Sequence, residues 1–108
     1  MNAQPNTPVR ELLPRVDVYE NADELLLLAD VPGVTPESVN VRYEADELRL
    51  EAQRTAADGP KLRYFRAFAL PDTIDPERIT AELKQGVLHV HLGKVEKAKP
   101  RTIAIRSE

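Results

Sequence analysis

Two imidazoles separated by one residue are the most reactive pair in the chain, His89 and His91 in His89-Val90-His91. On a strand, residues i and i+2 project from one face, so the two rings lie close enough to share a metal ion. Leu88, Val90 and Leu92 occupy the alternate positions and claim the core face, which leaves the histidines on the other. Two ligands do not make a stable site, and the neighbouring sequence offers no third. The pair therefore reads as structural or solvent-facing, with no metal. The chain has no cysteine, which removes disulfides, thiolate metal sites and cysteine nucleophiles. It has no nucleophile elbow, no phosphate-cradling glycine loop and no zinc spacing, and its four glycines sit at turns. The carboxylates mostly alternate with apolar residues, as on a solvated sheet face. Without an acid, a base and a nucleophile to assemble, no enzyme and no cofactor are expected.

Composition narrows the partners. The 108 residues fit one domain with a single modest core. The net charge is −3, and Arg10, Arg15, Arg42, Arg49, Arg54, Lys61, Arg63 and Arg66 are interleaved with Asp and Glu. A nucleic-acid footprint needs a clustered basic face, so none is expected. The longest strongly apolar run, Leu25 to Ala29, is too short to span a bilayer. Met1 to Pro8 is polar and lacks the apolar stretch of a signal peptide. The expectation is a cytoplasmic protein with no membrane partner.

The elements that must position these groups are strands. Residues 1–14 carry Pro5, Pro8 and Pro14 and read as a short irregular arm with a small apolar patch at Val9, Leu12 and Leu13. Val16 and Val18 alternate with Asp17 and Tyr19. Glu24 to Asp30 is a near-continuous apolar strand, which predicts burial on both faces. Val39, Val41 and Tyr43 alternate with polar residues, as do Leu48 and Leu50 after a tight Ala45-Asp46 turn. Gln53 to Lys61 is a polar loop with an Asp58-Gly59-Pro60 turn. Leu62 to Leu70 is a strand, and Asp75 to Arg78 fits one helical turn. Ile79, Ala81 and Leu83 lead through Gln85-Gly86 into Val87 to Leu92. Gly93 to Lys99 reads as a charged, flexible tether, and Thr102 to Arg106 as a last short strand. About eight short strands and no long helix predict an all-β sandwich.

The order of these motifs resembles the bacterial small heat-shock protein, or α-crystallin, family. Val16-Asp17-Val18-Tyr19-Glu20 followed by Ala29-Asp30-Val31-Pro32-Gly33-Val34 is similar to the opening of its domain. Tyr64 to Pro71 resembles its strand with a central arginine, here Arg66. Ala81-Glu82-Leu83-Lys84-Gln85-Gly86-Val87-Leu88 resembles its most specific signature, and Ile103-Ala104-Ile105 its C-terminal Ile-X-Ile motif. The match runs from about Arg15 to Ile105. It implies an immunoglobulin-like antiparallel β-sandwich over residues 15–93, preceded by the arm and followed by an extension over 94–108.

The resemblance also implies a dimeric building block and an ATP-independent chaperone that holds unfolding client proteins. Val39, Val41 and Tyr43 on one strand and Ile79, Ala81 and Leu83 on another are expected to border one apolar groove. Ile103 and Ile105, branched knobs on one side of an extended segment, fill it in the assembled state. Arg66 and Leu62 are expected at the dimer interface, with Arg66 paired to a carboxylate. The loop from Leu50 to Tyr64 and the arm are short for the family, so the expected particle is a dimer or small oligomer. The alternatives are a co-chaperone of the CS-domain class, which lacks the Ile-X-Ile, and a structural module that holds no client.

Overall fold

A computed structural model of the chain describes residues 9–54 and 61–107. Its strands are β1 Val9–Leu12, β2 Val16–Glu20, β3 Glu24–Asp30, β4 Val39–Glu44, β5 Glu47–Arg54, β6 Lys61–Ala69, β7 Ile74–Lys84 and β8 Val87–Lys94. Short 3-10 turns lie at Pro36–Ser38 and Glu96–Ala98. The strands form two four-stranded sheets, ordered β1-β6-β5-β4 and β2-β3-β8-β7. Every pairing is antiparallel except β1 on β6, which is parallel.

The period-two pattern builds the core between the sheets. In the second sheet Leu25, Leu27 and Ala29 face Leu92, Val90 and Leu88 across the β3–β8 ladder. In the first, Leu48, Leu50 and Ala52 lie opposite Phe68, Arg66 and Tyr64. Leu27, Ala29, Leu48, Val90 and Leu92 are all at most 2% exposed. Burying one such leucine or valine contributes about 1.5–3 kcal/mol before ordering costs.

Two hairpins set the register. Ala45 and Asp46 join β4 to β5 with φ of 51° and 62°, and Gln85 and Gly86 join β7 to β8 with φ of 50° and 78°. Two consecutive left-handed residues twist with the flanking strands and close a two-residue loop. Glycine is needed at 86 for a second reason. A Cβ there would stand 3.3 Å from Pro32 Cα, while the Gly86 carbonyl accepts from Val31 N–H at 2.8 Å.

The structure departs from the sequence reading in five places. The arm is not irregular throughout, since Val9–Leu12 pairs with Lys61–Tyr64. β3 is deeply buried only at Leu27 and Ala29 on its inner face: Leu26 and Leu28 are half-buried on the outer face, because no further layer covers it. Asp75 to Arg78 is not a helical turn but part of β7, with a register shift between Ile74 and Ile79. Pro76 has no N–H for a ladder, so a bulge is where it fits. Thr102 to Arg106 forms no strand, and the expected tether is partly ordered, with Gly93 and Lys94 ending β8. The Asp58-Gly59-Pro60 turn and residues 1–8 lie outside the described residues.

Candidate binding groove

β4 and β7 are the edge strands at the same side of the two sheets. Val39, Val41 and Tyr43 are half-buried and alternate with exposed Asn40, Arg42 and Glu44. Between them and β7 runs an open groove of about 320 Å³, lined by Pro36, Val39, Val41, Ala81, Glu82, Leu83 and Leu88. Four of the six groove residues read from sequence line it. Ile79 instead packs, half-buried, against the core. Tyr43 sits by the hairpin, where its hydroxyl donates to Asp46 Oδ1 at 3.0 Å. That hydrogen bond, with some desolvation and the Asp46 charge, raises the Tyr43 phenol above its ordinary value of 10.0.

Three lining residues went unread in the sequence. Pro36 opens the 3-10 turn that leads into β4. Leu88 belongs to the core row of β8, and its position as the Cα partner of Leu83 carries it to the groove floor. Glu82 gives the wall a charge, which Lys84 Nζ meets at 3.2 Å. Ala81 is what keeps the slot open, because a methyl group fills none of it.

The extension carries apolar side chains that the domain does not cover. Ile103 is 79% exposed and Ile105 90%. Lys99 meets Asp23 of the domain at 3.9 Å and, within its own segment, Glu96 at 3.1 Å.

Arg66 lies on the inner row of β6 and does not pair with a carboxylate among the described residues. Its Nη1 donates to the Pro14 carbonyl at 3.2 Å, and its guanidinium stacks over the Phe68 ring at 5.0 Å. Pro14 lies two residues beyond the end of β1, outside any strand. Leu62 is 9% exposed and stands opposite Arg10 of β1 and Arg54 of β5. The ion pairs of β6 belong to Arg63, which meets Glu51 at 2.8 Å and also Glu11. Hydrogen bonding to Glu51 leads the causes that raise Arg63 above its ordinary value, so it stays charged.

The profile of the Hsp20/alpha crystallin family matches residues 17–106. The chain belongs to that family. A probable 15 kDa heat shock protein of Leptospira interrogans is 38% identical over 109 residues, spanning 93% of this chain and 83% of the relative. Small heat shock protein C4 of Rickettsia felis is 30% identical, spanning 87% of this chain and 64% of its own. Among solved structures, the small heat-shock protein of Xylella fastidiosa superposes with a TM-score of 0.72 at 29% identity, covering 89% of this chain and 98% of that one. Heat shock protein 16.0 of Schizosaccharomyces pombe gives 0.69 at 30% identity, covering 97% and 80%. The sandwich is thus an α-crystallin domain, and the chain is a small heat-shock protein of a chaperone family. No helix among the described residues is long and apolar enough to cross a membrane.

Proposed function

We propose that this small heat-shock protein is an ATP-independent holdase, working in the cytoplasm, that takes apolar segments of unfolding proteins into the β4–β7 groove. The observation that carries the reading is the presence, on one chain, of an open apolar groove and an uncovered Ile-X-Ile tail. Ile103 and Ile105 of a second copy fit that groove, with Val39, Val41, Ala81 and Leu83 as its walls. Charge supports the match: Arg101 and Arg106 flank the tail motif, and Glu82 edges the groove. Tail and client then compete for one apolar surface. Each isoleucine contributes about 1.5–3 kcal/mol before the cost of ordering it, enough to assemble when repeated and weak enough to exchange.

The proposed dimer contact runs along β6, with Arg66 and Leu62 on its inner row. β1 already covers the Lys61–Tyr64 end of that strand, which favours a dimer or small oligomer over exchange of strands there. No nucleotide, cofactor or nucleic acid enters the mechanism.

The test is aggregation of a heated substrate protein, followed by light scattering without ATP. Suppression at a several-fold excess of this protein is expected. Unchanged aggregation would overturn the holdase reading, and capture of one dedicated ATPase chaperone without clients would favour a co-chaperone.

A further inference from the structure

The outer face of the β2-β3-β8-β7 sheet carries His89 and His91, which the groove does not use. Their ladder partners place them together on that face: His91 is opposite Leu26 and Thr80, and His89 opposite Leu28 and Glu82. His89 Nδ1 lies 3.1 Å from the Val87 carbonyl, and His91 Nδ1 lies 3.1 Å from Glu24 Oε1. A carbonyl or carboxylate oxygen accepts and cannot donate, so each Nδ1 carries the proton. In the neutral ring the lone pair is then on Nε2, in both histidines. Orientation of an imidazole by an acceptor on its far nitrogen is how metal-binding histidines are commonly held.

We propose that His89 and His91 form a two-nitrogen surface chelate for a divalent transition-metal ion, with the cupric ion bound most tightly. The two residues are about 6.5 Å apart along the strand, and both present Nε2 from one face. Two side chains do not make a closed site, and among the described residues no three His, Cys, Asp or Glu side chains gather to hold a metal; the site proposed is therefore an open, exchangeable one whose remaining ligands are solvent. Imidazole suits copper, nickel and zinc, and affinity for a given nitrogen site peaks at copper. Carboxylates line the surface beside the pair, with Lys99 3.9 Å from Asp23 and Lys84 3.2 Å from Glu82, which leaves Glu24 as the one turned to the imidazole. The open groove beside His91 is lined by Asp23, Glu24 and Glu82 against one guanidinium, Arg78. Arg78 is directed to the Lys94 carbonyl at 3.4 Å, and Lys84 to Glu82. Leu26 and Leu28 flank the pair on the β3 side and limit water there.

The experiment titrates the full chain with cupric ion alone, by calorimetry and by electron paramagnetic resonance. Saturable binding of one ion per chain is expected, with a nitrogen signature from two imidazoles. These are the only histidines in the sequence. His89→Gln and His91→Gln, which keep a polar side chain of similar length, should each weaken binding and change the nitrogen signature. Glu24→Gln should weaken it about ten-fold while both nitrogens stay bound. Thermal melting of each apo variant checks that the sandwich is intact. The proposal fails if His89→Gln/His91→Gln binds copper like the parent, or if the parent shows no saturable binding. One ion per two chains with doubled mass would also overturn it.

Discussion

Tyr64, buried on β6, donates its hydroxyl to the Pro32 carbonyl at 3.1 Å, tying one sheet to the loop that leaves the other. Pro32 is also the residue against which Gly86 packs, so one proline is held by both sheets.

That junction can be tested with two substitutions. Tyr64→Phe removes a hydrogen bond and should cost about 1 kcal/mol. Gly86→Ala adds a methyl group at positive φ, where an L-residue costs roughly 1–2 kcal/mol, and crowds Pro32 as well. Melting temperatures should rank the parent above Tyr64→Phe, and Tyr64→Phe above Gly86→Ala. The reverse order would mean that the hairpin tolerates the added Cβ by shifting.

Removing the tail knobs should change mass and spare the fold. Ile103→Ala with Ile105→Ala is expected to shrink any assembly beyond the dimer, because several buried methyl groups are lost at about 0.8 kcal/mol each. Melting should stay the same, since both residues are largely exposed within their own chain. Unchanged native mass with a sharply lowered melting temperature would show that the tail belongs to its own core.

Filling the groove should mimic a bound tail. Ala81 is exposed on β7, so Ala81→Leu does not overpack the core, yet it occupies the slot. Assembly and suppression of aggregation should both fall, with melting within about 0.5 kcal/mol of the parent. Full activity in this variant would place the client surface elsewhere.

Tyr43 offers a test at alkaline pH. Its phenol is raised by the hydrogen bond to Asp46, so folding favours the protonated form. The stabilisation is fully present below the unfolded phenol value and is lost as pH rises through the higher folded one. Ultraviolet titration should show a late-ionising tyrosine that Tyr43→Phe removes.

Much of this was legible in the sequence because alternation is a local signal. Val39, Val41 and Tyr43, or Leu88, Val90 and Leu92, announce both a strand and its inner face. The groove followed from the family resemblance, and four of the six residues named for it line it. What was missed depends on distant partners. β1 is four residues long and becomes a strand only because β6 offers it an edge. The all-apolar Leu25 to Leu28 cannot say which face is covered, since that depends on whether another layer lies beyond it. Ile79 and Tyr43 have the right period, but the bulge after Ile74 and the hydroxyl bond to Asp46 set their final positions. The acceptors on the two histidines come from β3 and from the backbone, and no spacing in the sequence reports them.

The ladder between β3 and β8 has a consequence for synthesis. β3 is made early, and its partner β8 ends about sixty residues later; at 5–20 residues per second the interval is about 3–12 seconds. During that time Leu25 to Leu28 has only β2 beside it and lacks its β8 partner. A protein whose proposed task is to shelter such stretches in others emerges from the ribosome carrying one of its own.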